Sequence, residues 1–402
     1  MTAAVPTLTY IRIGTTYYKV VNKPLASGDF MAMLLPWSAE CIKQDHGKDF
    51  LSKVAKFDGF CFVPSHLDYQ RSVGAFYNRY YPFGHTAVEG DCSQSLKYLE
   101  HIFGEQLQIG LDYLKLLLER PMQRLPILCL VSTERNTGKT TFLNWMKAVF
   151  GDNMTINTNE DFRSNFNAEW TQKVIIGVDE TFLERREDSE RLKNLSTATY
   201  YKAEAKGMDR QEIEFFGKFI LCSNNEDNFV IIDPGETRYW IRKILTLKHD
   251  NPHLLAALKK EIPAFLHLLS KRTLNTTGQS RMWFSPEQIS TPALQKLIHQ
   301  NRQRLEVEMA SLLLLIADEK GLDELCFCTG DIQDWMIRKG IRNQDTNAIR
   351  RVLQNVWNLK PAPNSNSYVQ YKFSTENNIY EIASKGRFYT MSLEMILKLN
   401  DY

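Results

Sequence analysis

The chain has 402 residues, 43% of them hydrophobic and 24% charged, with a formal net charge of +2. That length accommodates two or three domains with their own cores, and the composition excludes a disordered or fibrous chain. A net charge so small excludes a globally basic nucleic-acid coat, which leaves any such binding to local patches. The seven cysteines, at 41, 61, 92, 129, 222, 326 and 328, are scattered and odd in number, as in a chain with reduced thiols. Cys326-Phe327-Cys328 lacks zinc spacing and a second pair, so no cysteine metal site is expected. Nothing in Met1–Tyr10 reads as a signal peptide, and no apolar run approaches the ~18 residues of a membrane span. A soluble, cytoplasmic protein without a membrane partner is expected.

In chain order, residues 1–90 are rich in aromatics and short strand-like runs. Leu8–Ile13 and Tyr17–Val21 flank a Gly14-Thr15-Thr16 turn, a helix is expected from Trp37 to Lys56, and Phe57-Asp58-Gly59-Phe60 marks the next turn. This predicts a small α+β domain. With no paired strand carboxylates for a polymerase or primase metal site, it reads as an accessory or docking domain. From Ser93 to Glu119, Leu96, Leu99, Ile102, Phe103, Leu107, Leu111, Leu114 and Leu118 recur at helical spacing until Pro121 interrupts. Residues 91–120 are therefore a helical segment leading into a strand at Leu125–Val131. Over 121–250 strands alternate with helices, which predicts an α/β domain with a mostly parallel central sheet. Residues 251–315 return to helical periodicity.

The tail, 316–402, has another rhythm. A helix is predicted from Thr329 to Lys339, a break at Gly340, a second helix over Asp345–Leu359, then strands at Tyr368–Phe373 and Phe388–Met391. This is the outline of a winged helix. Arg338, Lys339, Arg342, Arg350 and Arg351 cluster around its turn and second helix, either as a DNA-reading face or as a solvated surface.

The window from Val131 to Arg242 carries the chemistry. A strand runs into Ser132-Thr133-Glu134-Arg135-Asn136-Thr137-Gly138-Lys139-Thr140-Thr141, a phosphate-loop sequence with Thr133 where the usual pattern has glycine. Gly138 permits close backbone approach, Asn136, Thr137 and Thr141 complete the cradle, Lys139 reaches the β- and γ-phosphates, and Thr140 offers its hydroxyl to Mg²⁺. The bland alternative is an ordinary strand-loop-helix. A second apolar strand, Val174–Val178, ends in Asp179 and Glu180. Asp179 suits the Mg²⁺ shell, and Glu180 suits the base that deprotonates water. A third, Phe219–Ser223, ends in Asn224, which either positions the lytic water or forms a turn. Arg238 precedes a further apolar run, as a finger for a neighbouring subunit's site or as a surface ion pair.

Thr133–Thr141, Val174–Glu180, Lys202–Phe215 and Phe219–Asn224 resemble the successive motifs of superfamily 3 helicases, above all the phage-, plasmid- and poxvirus-type primase-helicases. The resemblance is good over about 90–250, holds in outline at the C-terminus and hardly extends to the first 90 residues. It implies an AAA+ P-loop domain after a helical collar, followed by a winged helix. It also implies a ring of subunits, typically a hexamer, with ATP and Mg²⁺ between them and Arg238 acting on the neighbour's ATP. A pore hairpin with Lys202 on its arm and Lys206 and Met208 at its tip would track single-stranded DNA. No primase chemistry is visible in these residues, so priming would reside either in a separate primase chain or in a segment outside these residues, and a bacterial or phage-infected cell is the expected setting. The alternatives are a replication initiator or defence-type ATPase that unwinds little, or a P-loop small-molecule kinase.

Overall fold

The computed structural model describes residues 9–24, 30–204, 206, 209–232, 236–247, 251–341, 345–374 and 378–400. Near the N-terminus, β1 (Tyr10–Ile13), β2 (Thr16–Pro24) and β3 (Phe30–Trp37) pair antiparallel, and β4 (Ala55–Phe57) adds in parallel beside β1. The helix expected over Trp37–Lys56 is corrected. Trp37 closes β3, and only α1 (Ala39–His46) and the short α2 (Phe50–Lys53) are helical. Gly47, with φ +86°, ends α1 by donating its N–H to the Lys43 carbonyl. A small sheet of β5 (Gly59–Cys61), β6 (Ser72–Val73) and β7 (Phe76–Asn78) follows. From the loops around it, His66 and Phe83 pack on Phe150, where burial pushes the His66 imidazole down to about 3.

The helical segment expected over Ser93–Glu119 consists of two helices, α3 (Ser93–Phe103) and α4 (Leu107–Glu119), parted at Gly104. Gly104 has φ +50°, and a Cβ there would lie 2.8 Å from the Arg242 guanidinium. Apolar spacing runs through the break unchanged, so periodicity alone cannot register it.

The central sheet comprises β8 (Ile127–Val131), β9 (Met154–Asn157), β10 (Ile175–Val178), β13 (Lys218–Ser223) and β14 (Tyr239–Lys243), all parallel, in the order β14-β8-β13-β10-β9. Its connections carry α5 (Lys139–Phe150), α6 (Asn159–Arg163), α7 (Ala168–Thr171), α8 (Arg186–Thr197) and a hairpin of β11 (Tyr200–Ala203) and β12 (Gln211–Glu214). Both faces are buried, which is why these strands are almost wholly apolar. Alternate side chains go opposite ways. Leu128, Leu130, Ile220 and Trp240 join the core with α3, α4 and α5, whereas Ile127, Cys129, Val131, Phe219 and Ile241 join Phe162, Trp170, Leu192 and Leu195 on the other face.

Beyond the sheet come α9 (Leu254–Lys260), α10 (Ile262–Lys271), the one-turn α11 (Pro286–Ile289) and the 29-residue α12 (Pro292–Lys320). Helical periodicity expected across this region is interrupted between Lys271 and Pro286. The 315/316 boundary drawn from sequence falls inside α12. Leu294 and Leu297 belong to the sheet's core, while Leu305, Met309, Leu313 and Ile316 belong to a separate C-terminal core, so one helix serves both.

The tail contains β15 (Glu324–Phe327), α13 (Thr329–Arg338), α14 (Thr346–Arg351), a wide π-turn over Val352–Val356, β16 (Asn366–Phe373), β17 (Ile379–Gly386), β18 (Tyr389–Ser392) and α15 (Leu393–Asn400). β16 and β17 form an antiparallel hairpin and β15 pairs with β18. The second helix is thus shorter than expected from Asp345–Leu359. Strand β17 escaped prediction because most of its side chains are exposed and it lacks apolar alternation. No helix among the described residues is long and apolar enough to cross a membrane.

One buried polar knot ties α4 to the segment after α10. Asp112, fully buried, accepts from the Thr276 N–H and hydroxyl at 2.8 and 2.9 Å and pairs with Arg272 at 3.0 Å. Truncating it strands a half-satisfied guanidinium and two donors. Asp112→Ala is expected to cost about 3 kcal/mol in urea unfolding; a loss below about 1 kcal/mol would show that this knot does not hold the two segments.

Candidate functional site

Because all five strands point the same way, their C-terminal ends open on one edge of the sheet, where α/β proteins bind ligands. β8 delivers the 132–138 loop there, β10 delivers Asp179 and Glu180, and β13 delivers Asn224. Register places them close together: Ser223 pairs with Val131, and Val178 with Leu221.

The loop's shape explains Thr133. Left-handed backbone is needed at Asn136 (φ +54°) and Gly138 (φ +87°), and position 133 is outside that region. Asparagine tolerates such a dihedral better than most residues, and glycine takes it freely. A Cβ at Gly138 would also sit 3.3 Å from the Tyr98 ring. Gly138 stands at the N-cap of α5, and no side-chain cap hydrogen bond is made there among the described residues.

Lys139 is buried on the first turn of α5 and donates to the Thr137 hydroxyl at 2.9 Å. Burial lowers its ammonium from the usual lysine range, and the carboxylates of Asp179 and Glu226 partly offset that. Thr140 is exposed beside it, and Asp179 is half-buried. Glu180 is exposed and has φ +49°, an uncommon conformation for a non-glycine residue that costs about 1 kcal/mol. It is fixed by two bonds: its N–H donates to Asp179 Oδ1 at 3.0 Å, and its carbonyl accepts from Asn159 Nδ2 at 3.0 Å. Asn224 is exposed; its neighbour Asn225 forms the turn, accepting from the Asp227 and Asn228 amides.

Three side chains that sequence motifs did not single out brace the loop from behind. Tyr98 donates to the Gly138 carbonyl at 2.7 Å, and His101 Nε2 donates to the Thr137 carbonyl at 3.0 Å, both from α3. Buried Glu226 accepts from the Thr133 N–H at 3.1 Å and from Lys243 Nζ at 2.8 Å. Its signal in the sequence is only its place two residues after Asn224, which no pattern distinguishes from a loop carboxylate.

Arg238 lies elsewhere. It stands at the N-terminal end of β14, its carbonyl accepting from the Ile127 N–H at 2.8 Å, so it occupies the sheet edge opposite the loop. Its guanidinium pairs with Glu236 at 2.8 Å. The β11–β12 hairpin hangs from that same far edge, since β12 leads into the start of β13. Lys202 is exposed and opposite Glu212, Lys206 is exposed near the turn, and Met208 lies outside the described residues. Arg210 is tied to Glu204 at 2.5 Å. Asn167 clamps the hairpin by accepting from the Glu204 amide and donating to the Lys202 carbonyl. In the tail, Arg338, Lys339, Arg350 and Arg351 are exposed, and Arg342 lies outside the described residues.

Residues 130–239 match the model of a family of unknown function (DUF5906). No curated protein matches the chain. Among solved structures, an apo structure of the NrS-1 C-terminal region is similar with a TM-score of 0.58 and 14% identity, over 93% of this chain and 95% of that one. An A-form apo structure of the same region gives 0.57 and 14%, over 91% and 93%. A likeness at this identity speaks to the fold: the mixed α/β arrangement is shared over nearly the whole length of both chains.

If Glu226 rather than residue 133 sets the loop, Glu226→Ala should destabilise the protein by about 2 kcal/mol and weaken binding of a fluorescent ATP analogue. Thr133→Gly should cost less on both measures. The opposite ranking would contradict the brace.

Proposed function

We propose that this chain is an ATP-hydrolysing AAA+ motor of the superfamily 3 helicase kind, working on single-stranded DNA in replication as a ring, typically a hexamer. The observation that carries the reading is the convergence of Lys139, Asp179, Glu180 and Asn224 at one sheet edge, with Arg238 on the other. An arginine so placed cannot reach the nucleotide of its own subunit, but it can complete the site of a neighbour. The α3–α4 pair, whose Tyr98 and His101 grip the loop, suits the role of a collar, and α13, α14 and the β16–β17 hairpin suit a winged helix.

In this reading the amides of the 132–138 loop and the start of α5 take the phosphates, and Lys139 neutralises the β- and γ-phosphates. The donor set fits Mg²⁺: one hydroxyl, Thr140, and one carboxylate, Asp179, leave room for phosphate oxygens and water, as this ion prefers. Bound there, Mg²⁺ would neutralise charge building on the phosphates. Glu180 takes a proton from water as its oxygen bonds to the γ-phosphorus and the bond to the β–γ bridging oxygen breaks, releasing ADP. Asn224 orients that water, and the neighbour's Arg238 meets the charge spread over the phosphoryl oxygens. Lys202, Lys206 and Met208 carry the motion to the strand, which makes DNA binding salt-dependent and indifferent to sequence.

The test is an ATPase assay with and without single-stranded DNA, run beside a mass measurement with a non-hydrolysable analogue. Stimulation and a ring-sized mass are expected. Turnover indifferent to DNA would favour the kinase reading, and an assembled ring without unwinding would favour an initiator. Glu180→Gln should keep nucleotide binding while lowering turnover at least ~100-fold; retained turnover would remove it as the base. Lys206→Ala should lower DNA-stimulated turnover far more than basal turnover, and equal losses would contradict the hairpin's role.

A further inference from the structure

Two cavities that Lys139, Asp179, Glu180 and Asn224 do not line share a wall. The smaller, about 700 Å³, lies against α8 and the base of the hairpin, where Tyr200 and Tyr201 line it. The larger, about 1020 Å³, is a cleft between the start of α8, the middle of α12 and the helices α13 and α14. Arg186, Glu187 and Arg191 line both, so the cavities adjoin around the first turn of α8.

Seven basic and four acidic side chains line the cleft, a local surplus of cations in a chain whose total is only +2. Arg163 is held by Asp188 at 2.7 Å, and Arg191 donates to the Arg163 and Ser164 carbonyls. Arg185 and Arg351 are exposed, without an ion-pair partner among the described residues, and they line the cleft from the sheet domain and from the tail respectively. Lys339 joins them, its ammonium 5.1 Å from the centre of the Phe373 ring.

The chemistry on the two sides differs. The smaller cavity offers tyrosine, and Tyr200 is 58% exposed, a surface on which a base can stack. The cleft offers guanidinium and ammonium groups for phosphates. A small phosphate compound is a poor fit, because the first turn of α8 carries Glu187 and Asp188, and the Asp188 and Ser189 amides are bonded to the Arg185 carbonyl. A flexible strand that alternates bases and phosphates uses both.

We propose that a single nucleic-acid strand passes from the Lys202 arm of the hairpin over Tyr200, around the start of α8 and into the cleft, where Arg185, Lys339 and Arg351 meet its phosphates. This rests on the single-stranded DNA reading and adds a route by which the tail contacts the strand. The route gives Lys339 and Arg351 of the tail a ligand in the cleft that they line.

The test is fluorescence anisotropy of oligothymidylates of increasing length on the full chain, across a salt series. The double variant Arg185→Glu/Arg351→Glu should bind long oligomers with a salt slope shallower by roughly 1.4, at ~0.7 per lost single-strand phosphate contact. Oligomers too short to leave the hairpin should bind as to the native chain. The double variant Arg185→Lys/Arg351→Lys should keep the native slope, which separates lost charge from a folding defect. Tyr200→Leu should weaken binding roughly tenfold. Native binding with an unchanged slope in the charge-reversed protein at every length overturns the route alone. A native chain that binds no oligothymidylate overturns the DNA reading and the route with it.

Discussion

The direction of five strands governs this molecule. With β14, β8, β13, β10 and β9 all parallel, every strand's outgoing loop opens on one edge and every incoming segment on the other. Lys139, Asp179, Glu180 and Asn224 follow strands and so share an edge; Arg238 and the β11–β12 hairpin precede strands and so share the opposite one. A five-residue strand is roughly 16 Å long, more than any side-chain rearrangement can cross. Topology therefore puts the 132–138 loop and Arg238 at different edges before any side chain is considered, and under the proposed function phosphate binding and completion of the site divide between those edges. That separation is what a site shared between subunits requires.

The edge that carries Lys139 also depends on groups that belong to no motif. Left-handed backbone at the non-glycine residues Asn136 and Glu180 is uncommon and persists only where the surroundings hold it. Tyr98 and His101 hold the loop's carbonyls from α3, and Glu226 holds the Thr133 amide from beyond β13. Arg242, bonded to Glu105 at 2.5 Å and Gln106 at 2.9 Å, fixes β14 to the same α3–α4 junction, where Trp240 stacks on Phe103 at 5.3 Å. The helices before the sheet are thus part of the loop's rigidity.

Much of this was legible in the chain. The central strands are continuous apolar runs because both sheet faces are covered, and the polar residues ending them mark the working edge. The helix after Gly138 and the helix pair of the tail were readable from spacing and from Gly340. What escaped depended on information that periodicity lacks. The break at Gly104 is set by a backbone dihedral and by the approach of Arg242, a contact 138 residues away in sequence. Strand β17 is largely solvent-facing, so it has no apolar signature. α12 reads as one helical stretch but serves two cores, which places no boundary at 315. Thr133 looked like a defect only because a linear pattern assigns glycine to a position, whereas the fold needs left-handed backbone at Asn136 and Gly138.

The central claim is that one sheet gives its two edges to two different nucleotide sites in a ring. Mixing Arg238→Ala subunits with Lys139→Ala subunits tests this most directly, since each preparation alone should lack ATPase activity. Mixed rings contain junctions where an intact Lys139 faces an intact Arg238, and activity is expected to return in part, passing through a maximum as the ratio varies. Silence at every ratio, or an Arg238→Ala protein that is active by itself, would contradict a site completed across the subunit boundary.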